Sequence, residues 1–316
     1  MIFSPTHPGK NSLGGWDWIR NHWRRGSEIS LVHEPVVVRR LCLYVDRYNP
    51  PYAGIINSII HHCGENGISL SAATPSAQHL RSFSIPEDDG CDMALALGGD
   101  GTILRCMGYF LDRSIPVLGV NAGHLGFLAS AEKNCIAETV KRISGGDYVI
   151  KTSPVLKAVF PSGHTITALN DFSINRSMMG GILHFTLYVD GEKVANIAGD
   201  GVVVSTPLGS TAYSLSCGGP IMDPELPAIL VVPICPHSLS LRPMVIFQRQ
   251  TISLEIGELR SSGPVVSADG APSGTLKTGE VLRVGAGEGS CMTVSFPDSP
   301  GYYRRLGLKL GWGVRG

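Results

Sequence analysis

Two hydrophobic rhythms divide the chain near residue 150. Before it, short apolar runs alternate with apolar positions at helical spacing. Leu41–Val45 reads as a buried strand, and Ala53–Cys63 sets Ile55, Ile56, Ile59 and Ile60 on one helical face. Met93–Leu97 and Ile115–Val120 repeat the strand, Ile103–Leu111 and Ile136–Ile143 the helix, the last closed by Gly145-Gly146. Strand–helix alternation with short connections predicts a parallel sheet covered on both faces. Beyond residue 150 the period becomes two. Leu183, Phe185, Leu187 and Val189 share one face, and Asp190-Gly191 predicts a type I′ turn into Lys193–Ile197. Ile252/Leu254/Ile256, Val281–Val284 and Met292/Val294/Phe296 repeat that alternation, the mark of an antiparallel all-β region. The expected fold is therefore an α/β N-terminal domain with a Rossmann-like parallel sheet, followed by an all-β, sandwich-like C-terminal domain. The expected divisions are an extension over 1–34, the α/β unit over 35–150, the β-rich unit over 151–300 and a docked tail over 301–316.

Composition narrows the class. A length of 316 residues suits two domains at roughly 150 residues each. Lys and Arg number 26, as do Asp and Glu, so the basic excess of a nucleic-acid or membrane-surface binder is missing. No apolar run approaches the ~20 residues that span a bilayer. The eight cysteines form no Cys-x-x-Cys pair and no zinc spacing, which predicts reduced thiols in a cytoplasmic protein. Residues 1–34 hold Trp16, Trp18 and Trp23 among arginines and read as a poorly ordered extension; Asp17 and Glu28 argue against a transit peptide.

Four segments carry candidate chemistry. Gly98-Gly99-Asp100-Gly101-Thr102 follows an apolar strand and opens a helix, the setting in which backbone amides and the helix dipole receive phosphate. A carboxylate there repels phosphate unless it binds a cation or accepts a proton, and phosphoryl transfer to a hydroxyl needs such a group. The bland alternative is a tight Asp-Gly turn. Asn121–Phe127 also follows a strand, so it shares a crevice with Asp100 at the carboxyl ends of the sheet. Asn170-Asp171 suits sugar hydroxyls or amide edges, although alone it is no better than a turn signal. The densest segment runs from Gly199 to Ser216, where small side chains let a nucleotide ring lie close to backbone and hydroxyls read its polar edge. Gly311, Gly313 and Gly316 mimic a dinucleotide fingerprint with no helix to follow, and no P-loop signature occurs.

In order along the chain, GGDGT (98–102), NAGHLGF (121–127), Asn170-Asp171, GDGVVVSTPLGSTAYSLSCGGP (199–220) and PHSLSLRP (236–243) resemble the NAD kinases. GGDG alone is shared with phosphofructokinases and diacylglycerol-type lipid kinases; the STPxGSTAY segment is specific. The resemblance implies phosphorylation of the adenosine-ribose 2′-hydroxyl of NAD by ATP to give NADP, with Mg²⁺ or another divalent cation accompanying ATP and no dedicated metal ligands. By motif, Asp100 would accept the proton, Gly101 line the phosphate turn, Arg105 hold phosphate and Phe127 stack in the acceptor pocket. Asn170 and Asp171 would bind adenosine, and Asp200, Thr211, Ala212, Tyr213, Ser214, Leu215 and Ser216 would finish the NAD site. Asp171 stands where the family usually has Glu, Leu208 where it has Thr or Ser, and Ala271 where it has Gln or Arg. Ala198 replaces a common Arg beside the acceptor, which implies that NADH is accepted alongside NAD. The resemblance also implies a homodimer or homotetramer, with no nucleic-acid or membrane partner. A lipid kinase would need an apolar acceptor pocket in place of the hydroxyl-rich segment; a non-catalytic nucleotide sensor would lack Asp100.

Overall fold

A computed structural model describes residues 36–123, 126–177, 181–259 and 262–312. The expected extension over 1–34, His124 of the NAGHLGF segment, and Gly313 and Gly316 lie outside the described residues.

Strands β1 (Arg40–Tyr44), β2 (Ser69–Ala72), β3 (Met93–Leu97) and β4 (Val117–Asn121) are parallel, in the order β2-β1-β3-β4. Their apolar runs are continuous because both faces are covered. Leu41, Leu43, Leu95 and Leu97 face α1 (Tyr52–Glu65) and α3 (Ile136–Gly145), whose Ile56, Ile59, Val140 and Ile143 fill that side. Cys42, Ala94 and Ala96 face the other way, where their small size lets α2 (Asp100–Phe110) settle close through Ile103, Met107 and Phe110. Each large apolar side chain so buried contributes about 1.5–3 kcal/mol. α2 begins at Asp100, three residues before the helix that apolar spacing predicts, because the helical turn is opened by polar Asp100-Gly101-Thr102.

The expected hairpin forms between β9 (Leu183–Val189) and β10 (Glu192–Gly199). Asp190 and Gly191 take φ of 50° and 84°, both positive as a type I′ turn requires. β8 (Asp171–Asn175), β11 (Gly201–Ser205), β12 (Ala228–Ile234), β13 (Met244–Phe247), β15 (Val265–Ala268) and β16 (Ala271–Thr275) make a six-stranded antiparallel sheet, in the order β13-β12-β11-β8-β15-β16. It packs on β9, β10 and β14 (Ile252–Ile256) through Phe172, Ile174, Val202, Val204, Leu187 and Leu254. The valine triplet of β11 does not alternate because its second face is also covered, Val203 packing with Met222 and Leu230.

One strand departs from expectation. Val281–Val284 and Met292/Val294/Phe296 read as separate strands, yet Val281–Ser295 is one strand, β17, with a register shift between Ala286 and Ser290. It pairs with β14 at its start, with β6 (Val149–Val159) along its length, and in parallel with β4 through Thr293 and Val117. The early parallel strands and the antiparallel strands β6, β9, β10 and β14 thus join through β17 in a single eleven-stranded sheet, which also takes in β5 (Ala131–Glu132) and β7 (Thr165–Ala168). The tail after residue 301 forms a helix, α4 (Tyr302–Leu310), seated on buried Leu306.

Candidate active site

Asp100 is the first residue of α2, with Gly99 extended before it at ψ −177°. Its side chain folds away from the helix toward the loop after β4. Oδ1 accepts the Leu128 N–H (3.0 Å), and Oδ2 accepts the Phe127 N–H (2.9 Å) and the Lys309 ammonium (3.0 Å). Lys309 arrives from α4 and lies 4.1 Å from the centre of the Phe127 ring. The loop comes this close only because residue 126 is glycine; a Cβ there would lie 2.1 Å from Asp100 Oδ1. Two oriented amides and an ion pair therefore fix a carboxylate at the carboxyl end of the parallel strands, where open α/β sheets bind ligands. Arg105, one turn along α2, pairs through Nε with Asp46 just past β1 (2.8 Å).

A second group forms across the β-rich half. Asn170 and Asp171, at the start of β8, line a cavity of about 390 Å³ together with Ser173, Asn175, Ala212, Tyr213, Ser267, Asp269 and Gly270. Asp269 opens the β15–β16 turn at φ 49°, and its carboxylate accepts the N–H groups of Leu169 (2.9 Å), Asn170 (2.7 Å) and Asp171 (3.2 Å). Burial raises the pKa of both acids. Asp171 is pushed up to about 7, first by burial and then by the nearby Asp269 charge, against a lowering hydrogen bond from the Tyr213 N–H. Asp269 is raised by burial, while the three amides oppose it.

The Ser205-Thr206-Pro207-x-Gly209 turn supports this cavity from below. Thr206 Oγ1 donates to the Leu169 carbonyl (2.8 Å) and accepts the Gly209 N–H (3.0 Å), while the Thr206 N–H donates to the Asn170 carbonyl (2.8 Å). A Cβ on Gly209 would lie 2.2 Å from that same carbonyl, so the glycine is required by approach. Leu208 leaves the turn intact and packs with the α2 cluster, which brings the turn beside Asp100's helix.

The expected residues fall into distinct places. Phe127 touches Asp100, and Gly101 sits exposed on the first turn of α2. Asn170, Asp171, Ala212 and Tyr213 share the cavity, whereas Thr211 lines a neighbouring one of about 240 Å³ with Phe127 and Leu128. Ser214 is buried and donates to the Gly209 carbonyl (3.0 Å), a structural bond; Leu215 is half-buried and Ser216 exposed on the same short helix. Asp200 binds Arg176 Nε (2.6 Å), and Ala198 lies in β10 with its carbonyl taken by the His237 N–H. An arginine does stand beside Asp200, therefore, supplied from position 176 and not 198. Sequence reasoning missed Arg176, Asp269 and Lys309. Asp269-Gly270 carries a hairpin-turn signal, which marks the turn but not the strand it caps; Lys309 carries none.

A parallel α/β sheet whose glycine turn presents a fixed carboxylate, beside a hydroxyl-lined cavity in a β-sandwich, defines a kinase acting on a nucleotide. The models of the ATP-NAD kinase N-terminal and C-terminal domains match residues 54–148 and 169–296. The NAD kinase of Lachnoclostridium phytofermentans is 34% identical over 259 residues, covering 78% of this chain and 90% of that protein. The NAD kinase of Syntrophotalea carbinolica is 30% identical over 288 residues, covering 88% of this chain and all of that protein (100%). Yeast NADH kinase complexed with NADH superposes with a TM-score of 0.80 at 23% identity, over 90% of this chain and 93% of that one. An NAD kinase from Archaeoglobus fulgidus in complex with ATP gives 0.66 at 23% identity, over 86% of this chain and 97% of that one. The chain belongs to the ATP-NAD kinase family, the enzymes that use ATP to phosphorylate NAD to NADP.

Proposed function

We propose that Asp100 takes the proton from the 2′-hydroxyl of NAD's adenosine ribose as its oxygen attacks the γ-phosphorus of ATP. The O–P bond to the new phosphate forms, the bond to ADP breaks, and the proton ends on Asp100. One observation carries this reading: the Asp100 carboxylate is held by the Phe127 and Leu128 amides and Lys309, which leaves lone-pair capacity on an immobilised base. Gly101 would line the phosphate turn. The cavity around Asn170, Asp171, Ala212 and Tyr213 would take the acceptor's adenosine, with Phe127, Thr211 and the 214–216 helix around it. Asp200 with Arg176 would sit at the nicotinamide side, where Ala198 leaves room for NADH as well as NAD. Arg105, engaged with Asp46, would reach phosphate only by exchanging partners.

Mg²⁺ bound with ATP would be held mainly by the triphosphate oxygens and water, which leaves Asp100 to its role as proton acceptor. When bound with ATP it would neutralise charge on the phosphates. Association into homodimers or homotetramers is supported by Val245 and Phe247, exposed on the edge strand β13. A cytoplasmic setting is supported by eight free cysteines. No helix among the described residues is long and apolar enough to cross a membrane.

The decisive experiment is Asp100→Asn assayed with ATP, Mg²⁺ and NAD. The expected outcome is a fall in kcat of roughly 10²–10⁴-fold in a variant that still folds, the usual worth of a positioned base. Wild-type turnover in the folded variant would remove Asp100 from the chemistry.

A further inference from the structure

The helix α4 carries positive charge to the place where phosphoryl transfer needs it. Arg305 and Lys309 are four residues apart and so share one face. Lys309 Nζ lies 3.0 Å from Asp100 Oδ2 and over the Phe127 ring. Arg305 Nη1 donates to the carbonyl of Ala129 (3.2 Å), the residue after Leu128. Its Nε is the one buried side-chain nitrogen or oxygen without a hydrogen-bond partner among the described residues. Burial presses the Arg305 guanidinium below its usual range, and the Asp100 charge works in the opposite direction. The helix is anchored from its first turn, where the Tyr302 hydroxyl donates to the Met222 carbonyl (2.9 Å) and the Tyr303 hydroxyl to Asp223 (2.6 Å).

Charge on a transferring phosphoryl group is stabilised by cationic side chains that exclude water. The GGDGT turn contributes amides and no cation. Arg105, the nearest cation on α2, is occupied by Asp46. Lys309 has three donors and spends one on Asp100, and its exposure of about a third leaves the ammonium reachable from the crevice.

We propose that Lys309 is a phosphate-binding residue of the kinase reaction, holding Asp100 in the free enzyme and receiving the transferred phosphoryl group of ATP when the donor is bound, with Arg305 positioning the 127–129 loop behind it. No bond is made or broken at Lys309; it changes hydrogen-bond partner as the phosphoryl group passes. The inference rests on Asp100 being the base.

The test compares Lys309→Met, Lys309→Arg and Arg305→Lys in steady-state kinetics, with NAD affinity measured separately by calorimetry. Lys309→Met is expected to raise KM for ATP by roughly 10- to 100-fold, the worth of one charged hydrogen bond, with NAD affinity within about twofold of wild type. Lys309→Arg should recover part of that loss, since it keeps a cation there although in a longer, planar group. Arg305→Lys should lower kcat with little change in either KM. Wild-type KM for ATP in Lys309→Met overturns the proposal. Equal losses for both substrates with a lower Tm and no rescue by arginine assign Lys309 a purely structural role and overturn it too. Asp100→Asn run alongside separates the two readings: retained turnover there removes the base, whereas lost turnover with an unaffected Lys309→Met removes Lys309 alone.

Discussion

The two carboxylates at the heart of the molecule, Asp100 and Asp171, live in opposite surroundings. Asp100 is partly open, and every neighbour that touches its oxygens is a donor, two amides and an ammonium. Asp171 is 4% exposed, has the Asp269 charge beside it, and is pushed up to about 7. The first arrangement converges donors on an aimed carboxylate; the second, by burial, lifts an acid into the neutral range. One residue type serves two purposes because donors converge on one and desolvation governs the other.

The comparison breaks most sharply at Gly126. Gly126→Ala drives a Cβ into the Asp100 carboxylate, so that side chain must swing away from its present position. Turnover is expected to fall about 10²-fold, the cost of roughly an ångström of misplacement, while NAD affinity stays near wild type. Unchanged kcat would show that the carboxylate position does not matter. On the other side, Asp269→Ala strips the acceptor from three amides at once. We expect a loss of about 1–3 kcal/mol in urea unfolding and a rise in KM for NAD, with KM for ATP spared. A variant as stable as wild type would show that water replaces the cap at no cost.

The smallest effect concerns pH. Asp171 holds its proton in the folded protein between about pH 4 and 7, where the unfolded chain has lost it. Folding stability from this group is thus present below its unfolded pKa and is lost as pH rises through about 7. Asp171→Asn should therefore lose fewer degrees of Tm than wild type between pH 5 and pH 8, by a few degrees, measured as the difference between the two curves. Parallel curves would mean that Asp171 is ionised throughout.

Much of the α/β half was legible because buried parallel strands have to be apolar on both faces, as Leu41–Val45 and Met93–Leu97 are. The β9–β10 hairpin was legible because Asp190-Gly191 can take the positive φ that its turn requires. β17 was not, since Gly285, Gly287 and Gly289 interrupt its alternation around the register shift. Nor was α4: Leu306, Leu308 and Leu310 suggest a period of two, but Tyr302 and Leu306 are the positions that pack, at helical spacing, while Leu308 is 55% exposed. The site divides the same way. Asp100 and Phe127 each come just after a recognisable strand, so the sheet itself predicts their meeting. Asp269 and Lys309 reach their partners from 100 and 209 residues away, and no local pattern encodes such a distance.

The path of β17 also bears on how the molecule is made. On the ribosome, the early strands β1 to β4 can collapse onto their helices as soon as they emerge. The outer edge of β4 is then covered only by the two residues of β5 at its far end, because Thr293, its partner at Val117, has not yet been synthesised. Until then the nascent sheet displays unpaired amides and carbonyls, an invitation to pair with a neighbouring chain. A premature stop before β17 should accordingly yield an insoluble fragment and not a smaller folded protein, even though most of the first core is present.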